Sequence, residues 1–395
     1  MAVERLNNVA HAIGGIANLG KNAPQGDEVA IAVMGPTGVG KTSFINLVSG
    51  SSLRVGRNLV SCTSVVQVAP PFLLDGRSVT LIDTPGFDDT NRSDADILKQ
   101  IAAFLATTYQ NGKRLAGVIY IHRISDVRMG GISTRNFRMF RQLCGESTLK
   151  NVVIVTNMWG EVGREVGEAR EAELASDDRF FKPVLDQGAK LLRHDNTTES
   201  AQAILHYIFG NQPLSLRIQR ELVDQKKDIS QTAAGEELNR AFAEQMKRHR
   251  EELATLQQEM RDAIREKDEQ AKKELLAETK KLQTEMARVE NDSKRLVSDY
   301  AKQQAELQKR MTDQAEEAKR AVEKADREYQ NRMKELEDHW RNTSQADKNE
   351  MNRQFSELQQ KYEHTQQLYK SSSSSGGGFF SNLGRALDGL FGLSA

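Results

Sequence analysis

The sequence predicts an α/β P-loop domain with a mostly parallel sheet, followed by a long all-α coiled-coil region. Three observations predict it. An apolar run at 29–34 stops at Gly35-Pro36-Thr37-Gly38-Val39-Gly40-Lys41-Thr42, which is the pattern G-x-x-x-x-G-K-[ST] between a strand and a helix. Apolar runs at 29–34, 78–82, 117–121 and 152–155 alternate with helix-compatible segments such as 96–105, as in a parallel sheet covered on both faces. All seven prolines lie before residue 214, and from 214 to 375 the only glycine is Gly235, so that stretch is helical by propensity. The expected organisation is an N-terminal segment at 1–25, the P-loop domain at 26–213 and the helical region at 214–370. A Ser/Gly linker at 371–378 and an amphipathic helix at 379–395 complete it.

At the end of the first strand the chain must turn tightly enough for backbone N–H groups to converge on an anion. Gly35, Gly38 and Gly40 suit such a turn, with Pro36, Thr37 and Val39 between them. Lys41 places a positive charge on the β- and γ-phosphates, and the Thr42 hydroxyl is the expected Mg²⁺ ligand. Ser43 lies in the first turn of a helix whose N-terminus points at the same phosphates.

The second strand runs into Asp83-Thr84-Pro85-Gly86, the D-x-x-G arrangement of GTPases. Asp83 can hold Mg²⁺ through water, and the Gly86 N–H can meet a γ-phosphate. Between the two motifs a switch hydroxyl should reach the metal when the γ-phosphate is present. Thr63 is the candidate, within Ser61-Cys62-Thr63-Ser64, and Ser61 or Ser64 could substitute chemically. The expected metal set is Thr42, Thr63 and Asp83.

These motifs, with Thr156-Asn157-Met158-Trp159, resemble the septin-related immunity-associated GTPases, the AIG/GIMAP group, and in particular their fungal G domain-containing relatives. The resemblance covers about residues 27–212. It implies a Ras-like G domain that binds guanine nucleotide (GTP or GDP) with Mg²⁺ and often assembles across its nucleotide face. Thr156, Asn157 and Asp195 are then expected near the base. Two departures stand out. Counting the base motif [NT]-K-x-D from Thr156 puts Asn157 at the Lys position and Trp159 at the Asp position. Trp159 would stack on the base while Asp195 or Glu161 supplies the carboxylate. Phe87 follows Gly86, where a glutamine would orient the attacking water. Hydrolysis would then need His122, Arg128 or an arginine from a partner.

The chain has 395 residues, with 55 basic and 55 acidic side chains, so no electrostatic footprint for nucleic acid is present. Cys62 and Cys144 show no metal or redox spacing and fit a reducing compartment. Neither a signal peptide nor an apolar run of about 18 residues is visible, so the expected location is cytoplasmic, with peripheral membrane attachment open.

In the helical region, residues from Leu296 to Trp340 keep a stripe at 44 residues in 12 steps, an 11-residue repeat. Phe242, Met246, His249, Leu253, Leu256, Met260 and Ile264 follow the same spacing. A coil that needs a partner helix is expected; a continuous helix from 220 to 368 would reach roughly 220 Å. In the tail, Phe379, Phe380, Leu383, Leu387, Leu390 and Phe391 form one apolar face suited to a membrane surface, a protein groove or self-docking.

The functional expectation is a GTP-binding protein with slow, Mg-dependent hydrolysis. Its nucleotide state would control self-assembly, as a homodimer or larger, or partner scaffolding through the coil. The alternatives are a scaffold with a constitutively occupied site and a coiled-coil ATPase. The latter would place its coil between the two motifs and carry a Ser-Gly-Gly-Gln signature, whereas this chain has its helices afterwards and no such signature.

Overall fold

The computed structural model describes residues 28–53, 66–89, 92–126, 130–266 and 269–298, with scattered positions between 300 and 360. Thr63, Arg128, the N-terminal segment and the 371–395 linker and tail lie outside the described residues.

β1 (Glu28–Met34), β4 (Arg77–Asp83), β5 (Gly117–Arg123), β6 (Val152–Asn157) and β7 (Lys190–Arg193) form a parallel sheet. β2 (Gln67–Val68) and β3 (Phe72–Leu74) pair antiparallel with β4, and the spatial order is β2-β4-β1-β5-β6-β7. The expected fold class is what the chain adopts. Strands buried on both faces need apolar side chains at successive positions, and β1 supplies them from Val29 to Met34. Val29, Ile31 and Val33 join one core; Ala30, Ala32 and Met34 join the other. The first core is closed by α1 (Lys41–Ser49) and α5 (Thr198–Phe209). On the other face lie α2 (Asp94–Gln110) and α3 (Gly131–Cys144), while α4 (Arg164–Ser176) flanks β6 and β7.

Fourteen of the seventeen α2 residues are buried, more than a sheet on one side can cover. The second cover is a helical hairpin. α6 (Ala233–Glu266) packs on α3, and α7 (Glu269–Ser298) packs back along α6 and against α2. The two run antiparallel: Arg250 acts on Glu290, and Tyr300 lies near Asp228, close to where α6 begins. Phe242, Val289, Leu296, Tyr300 and Leu307 share one core with Phe87, Ala95 and Leu98 of the P-loop domain.

The same core continues past the expected division at 213/214. Leu214 bridges to Leu115, and Leu216, Ile218, Leu222 and Ile229 are buried in the same core, so residues past 213 complete the domain. The region is also no single rod. Propensity marks these residues as helical but is silent on reversal, and the apolar stripe finds its partner within the chain. Towards the reversal the stripe lapses, with Ile264 56% exposed.

The start of α6 is tightly fixed. Glu221, 3% exposed, accepts from the Ala233 N–H at 3.0 Å and pairs with Arg217 and Lys227. Gly235, the lone glycine of the helical region, lies where a Cβ would come within 2.0 Å of the Ile229 carbonyl oxygen. Gly235→Ala is therefore expected to destabilise by about 1–3 kcal/mol, although alanine ordinarily favours a helix. Gly210→Ala, where a Cβ meets nothing within 4 Å, serves as the control. Thermal melts of the two variants check this, and equal melting temperatures would contradict it.

Candidate functional site

Parallel strands bring their carboxyl ends to one edge, where ligands of open α/β sheets bind. Val33 stands opposite Asp83 in the β1–β4 register, and His122 and Arg123 stand opposite Thr156 and Asn157. The P-loop motif, Asp83 and Asn157 thus converge at that edge.

Gly38 and Gly40 adopt φ of 80° and 92°, the left-handed backbone their positions require. Lys41 is 5% exposed and donates from Nζ to the carbonyl oxygens of Gly35 (3.0 Å) and Pro36 (2.8 Å). Burial lowers its pKa to about 8, against the opposing charges of Asp83 and Asp89. The Thr42 hydroxyl donates to Asp83 Oδ2 at 2.6 Å, and both residues are buried. A hydroxyl and a carboxylate beside a phosphate cradle are an oxygen-only donor set, the chemistry Mg²⁺ takes together with phosphate oxygens. Ser43 is exposed on α1.

The D-x-x-G loop lies directly on the P-loop. The Thr37 hydroxyl donates to Gly86 O, and the Thr37 N–H donates to Phe87 O, each at 3.2 Å. A Cβ at position 86 would fall 2.4 Å from Thr37 N, so only glycine allows this approach. Phe87 is 4% exposed and belongs to the core. Beyond it, the Asp88 N–H donates to Asp94 Oδ1 (3.0 Å), and Asp94 pairs with Arg135 of α3. Burial and the Asp94 charge raise the Asp88 carboxyl pKa. A cavity of about 830 Å³ opens here between the 88–94 segment, α3 and the hairpin, lined in part by Asp89, Arg138, Phe242, Arg248 and Val289.

At the base end, successive β6 side chains face opposite ways. Asn157 turns to the P-loop, donating from Nδ2 to Val39 O (3.0 Å) and accepting the Met158 N–H on Oδ1 (2.7 Å). Thr156 turns away, donating to Glu171 Oε1 at 3.0 Å and accepting from Trp159 Nε1 at 3.1 Å. Thr156, expected near the base, is a buried tie between β6 and α4. Trp159, expected to cover the base, is held against α4 and β7. Its indole also donates to Thr156 O, Arg193 lies 4.2 Å over its ring, and its Cζ3 would lie 2.8 Å from a Cβ on Gly167. Asp195 is exposed, and its Oδ1 accepts from the N–H and hydroxyl of Thr197 (3.2 and 2.6 Å), turning the loop into α5. The Ser125 hydroxyl donates to Glu161 at 3.1 Å.

Sequence reasoning missed two residues. Met158, at φ 61°, has its Cε 4.0 Å from a Cβ position on Gly40, so it faces the P-loop. His194 is buried, bonds Ser200 Oγ through Nδ1 at 2.8 Å and meets Phe44 edge-on at 5.1 Å, setting the 194–197 loop against α1. Neither residue type carries a local motif.

Residues 30–158 match the family model described as 50S ribosome-binding GTPase. The chain carries a P-loop GTPase domain. GTP-binding protein A of Dictyostelium discoideum is 27% identical over 133 residues, 33% of this chain and 28% of that protein; the chain thus spans little more than a quarter of its length. Among solved structures, Toc33 from Arabidopsis thaliana with Mg²⁺ and GMPPNP is 16% identical, covering 52% of this chain and 93% of that one at a TM-score of 0.38. The G domain of the T. maritima FeoB iron transporter is 20% identical, covering 46% and 97% at 0.30.

His122, expected as a candidate for hydrolysis, stands in the core. His122 is 3% exposed and edge-on to Phe181 at 5.4 Å, beside Tyr120 in an aromatic cluster, and burial lowers its pKa to about 4. It packs as a core residue. A folded pKa below the unfolded value of about 6.5 means that the unfolded chain binds more protons between those values. Stability is expected to fall by up to about 3 kcal/mol as pH drops from 6.5 to 4. In His122→Phe that loss should shrink, with nucleotide affinity unchanged. Denaturant titrations across the window check the stabilities, and a fluorescent nucleotide titration checks the affinity.

Proposed function

We propose that this protein is a GTP-dependent switch with slow, Mg-dependent hydrolysis, whose nucleotide state controls self-assembly or partner binding through its helical region. Its motifs favour a place beside the AIG/GIMAP-type GTPases. The observation that carries the reading is the D-x-x-G loop lying on the P-loop at Thr37, at the place where a γ-phosphate would enter. A triphosphate would compete with the carbonyl oxygens of Gly35, Pro36, Gly86 and Phe87 for the donors of Lys41 and Thr37, and the loop would have to answer. Thr42 and Asp83 would hold Mg²⁺, with a hydroxyl from the 61–64 segment, Thr63 foremost, joining them. The metal supplies charge stabilisation for the phosphates.

With Phe87 in the core and His122 buried among aromatics, the described residues hold no group in the usual place to orient water. Hydrolysis is therefore read as slow alone and faster in an assembly. The motion has a route outward: the loop runs into Asp88 and Asp94, Asp94 pairs with Arg135, and Arg138 on the same helix pairs with Glu237 of α6 at 3.3 Å. The tail at 379–395 is read as an attachment to a lipid or protein surface.

Lys41→Ala and Thr42→Ala are each expected to weaken fluorescent guanine nucleotide binding at least tenfold, because each removes a group that meets phosphate or metal. Unchanged affinity in Lys41→Ala would reject the nucleotide site. Hydrogen exchange of the wild type with GDP and with a non-hydrolysable GTP analogue should change at 84–93 and in α6 and α7. Change confined to 84–93 would separate the switch from the helices.

A further inference from the structure

The structure fixes the frame in which the base motif must be counted, and that frame differs by one residue from the one the sequence suggests. A nucleoside whose phosphates sit in the P-loop must place its base beside the residue joining β6 to that loop. Of the two candidates only Asn157 does so, through Val39 O and its cap on the Met158 N–H. Thr156 spends its hydroxyl on Glu171 and Trp159, on the far side of the strand. Counting [NT]-K-x-D from Asn157 puts Met158 at the lysine position, Trp159 at the unspecified one and Gly160 at the aspartate position. The side chains agree. Met158 faces the P-loop, as a residue covering a base should, and Trp159 is held between Arg193 and α4.

We infer that Gly160 is the base-reading position of this domain, and that the glycine leaves the 2-amino group of guanine unread. The site then takes GTP and the analogue without that amino group alike. Two neighbouring carboxylates could contradict this, and each is otherwise employed. Glu161 is bonded by the Ser125 hydroxyl, and Asp195 caps the turn into α5 through Thr197. Gly160 itself is exposed, has no left-handed φ, and a Cβ there would meet nothing within 4 Å. Neither strain nor crowding explains a glycine at this position, and a longer side chain fits.

This inference rests on the GTP-binding reading, and one set of titrations separates the two. Competition with GTP, inosine triphosphate, xanthosine triphosphate and ATP is measured for the wild-type chain, Gly160→Asp, Gly160→Asn and Lys41→Ala. Wild type is expected to bind GTP and inosine triphosphate within about threefold of each other. In Gly160→Asp a carboxylate reaches N1–H and the 2-amino group, and GTP should gain about tenfold or more over inosine triphosphate, the value of a charged hydrogen bond. In Gly160→Asn the amide can donate to a 2-oxo group, so preference should move towards xanthosine triphosphate. A tenfold wild-type preference for GTP over inosine triphosphate would overturn the inference while leaving GTP binding intact. Ratios unmoved in both variants, with melting temperatures like wild type, would overturn it too. If no nucleotide competes and Lys41→Ala changes nothing, the GTP-binding reading fails and this inference fails with it.

Discussion

A lysine ammonium only 5% exposed must be held, and the phosphate end of the domain is organised around that requirement. The carbonyl oxygens of Gly35 and Pro36 take its hydrogens, while Asp83 and Asp89 act on its charge. Asp83 can do so because β1 and β4 run parallel in a register that sets Val33 opposite it. An antiparallel pair would have sent one of the two motifs to the opposite edge. The short Thr42–Asp83 bond follows from the same register. Removing the lysine therefore leaves buried carbonyls and a carboxylate without their cation, which costs more than the loss of one ligand contact.

The second constraint is the burial of α2 from both sides. A helix apolar almost all round needs two covers, and the sheet supplies one. The hairpin supplies the other, which is why Phe242, Val289 and Leu296 share a core with Phe87 and Leu98. Phe87 thereby gains a reason to be aromatic: it anchors the D-x-x-G loop in the core that the hairpin closes. The same ring forfeits the polar group that would face water, so tight coupling of loop to core and direct water activation compete for one side chain.

What the sequence made legible follows from how local each signal is. The P-loop and D-x-x-G were readable because each compresses its chemistry into eight residues or fewer, and parallel strands were readable from continuous apolar runs. Thr156 and Asn157 were not separable, since a strand's two faces look alike until a neighbour shows which is which. Trp159 reads as a base cover when the motif is counted from Thr156, and under the count from Asn157 it falls at the unspecified position. His122 looked chemical, and only the packing of Phe181 reveals it as core. Helical propensity across 233–298 was plain, but the reversal depends on α2 needing a cover, a long-range fact that no window of the sequence carries.

The two ends of the nucleotide site are built to different standards, and switching explains why that is tolerable. In the proposed switch, phosphate contacts would come from strand ends and a buried cation, fixed by the sheet. Base contacts would come from Met158, the 194–197 loop and an open glycine, fixed by side chains such as His194 on Phe44. A switch is moved only by contacts that differ between its two nucleotide states. Diphosphate and triphosphate share their base and differ at the γ-phosphate, so precision at the base adds selectivity but no switching force. The core joining Phe87, α2 and the hairpin lies on the phosphate side, where the difference between states arises. A loosely specified base end therefore leaves the mechanical part of the domain intact.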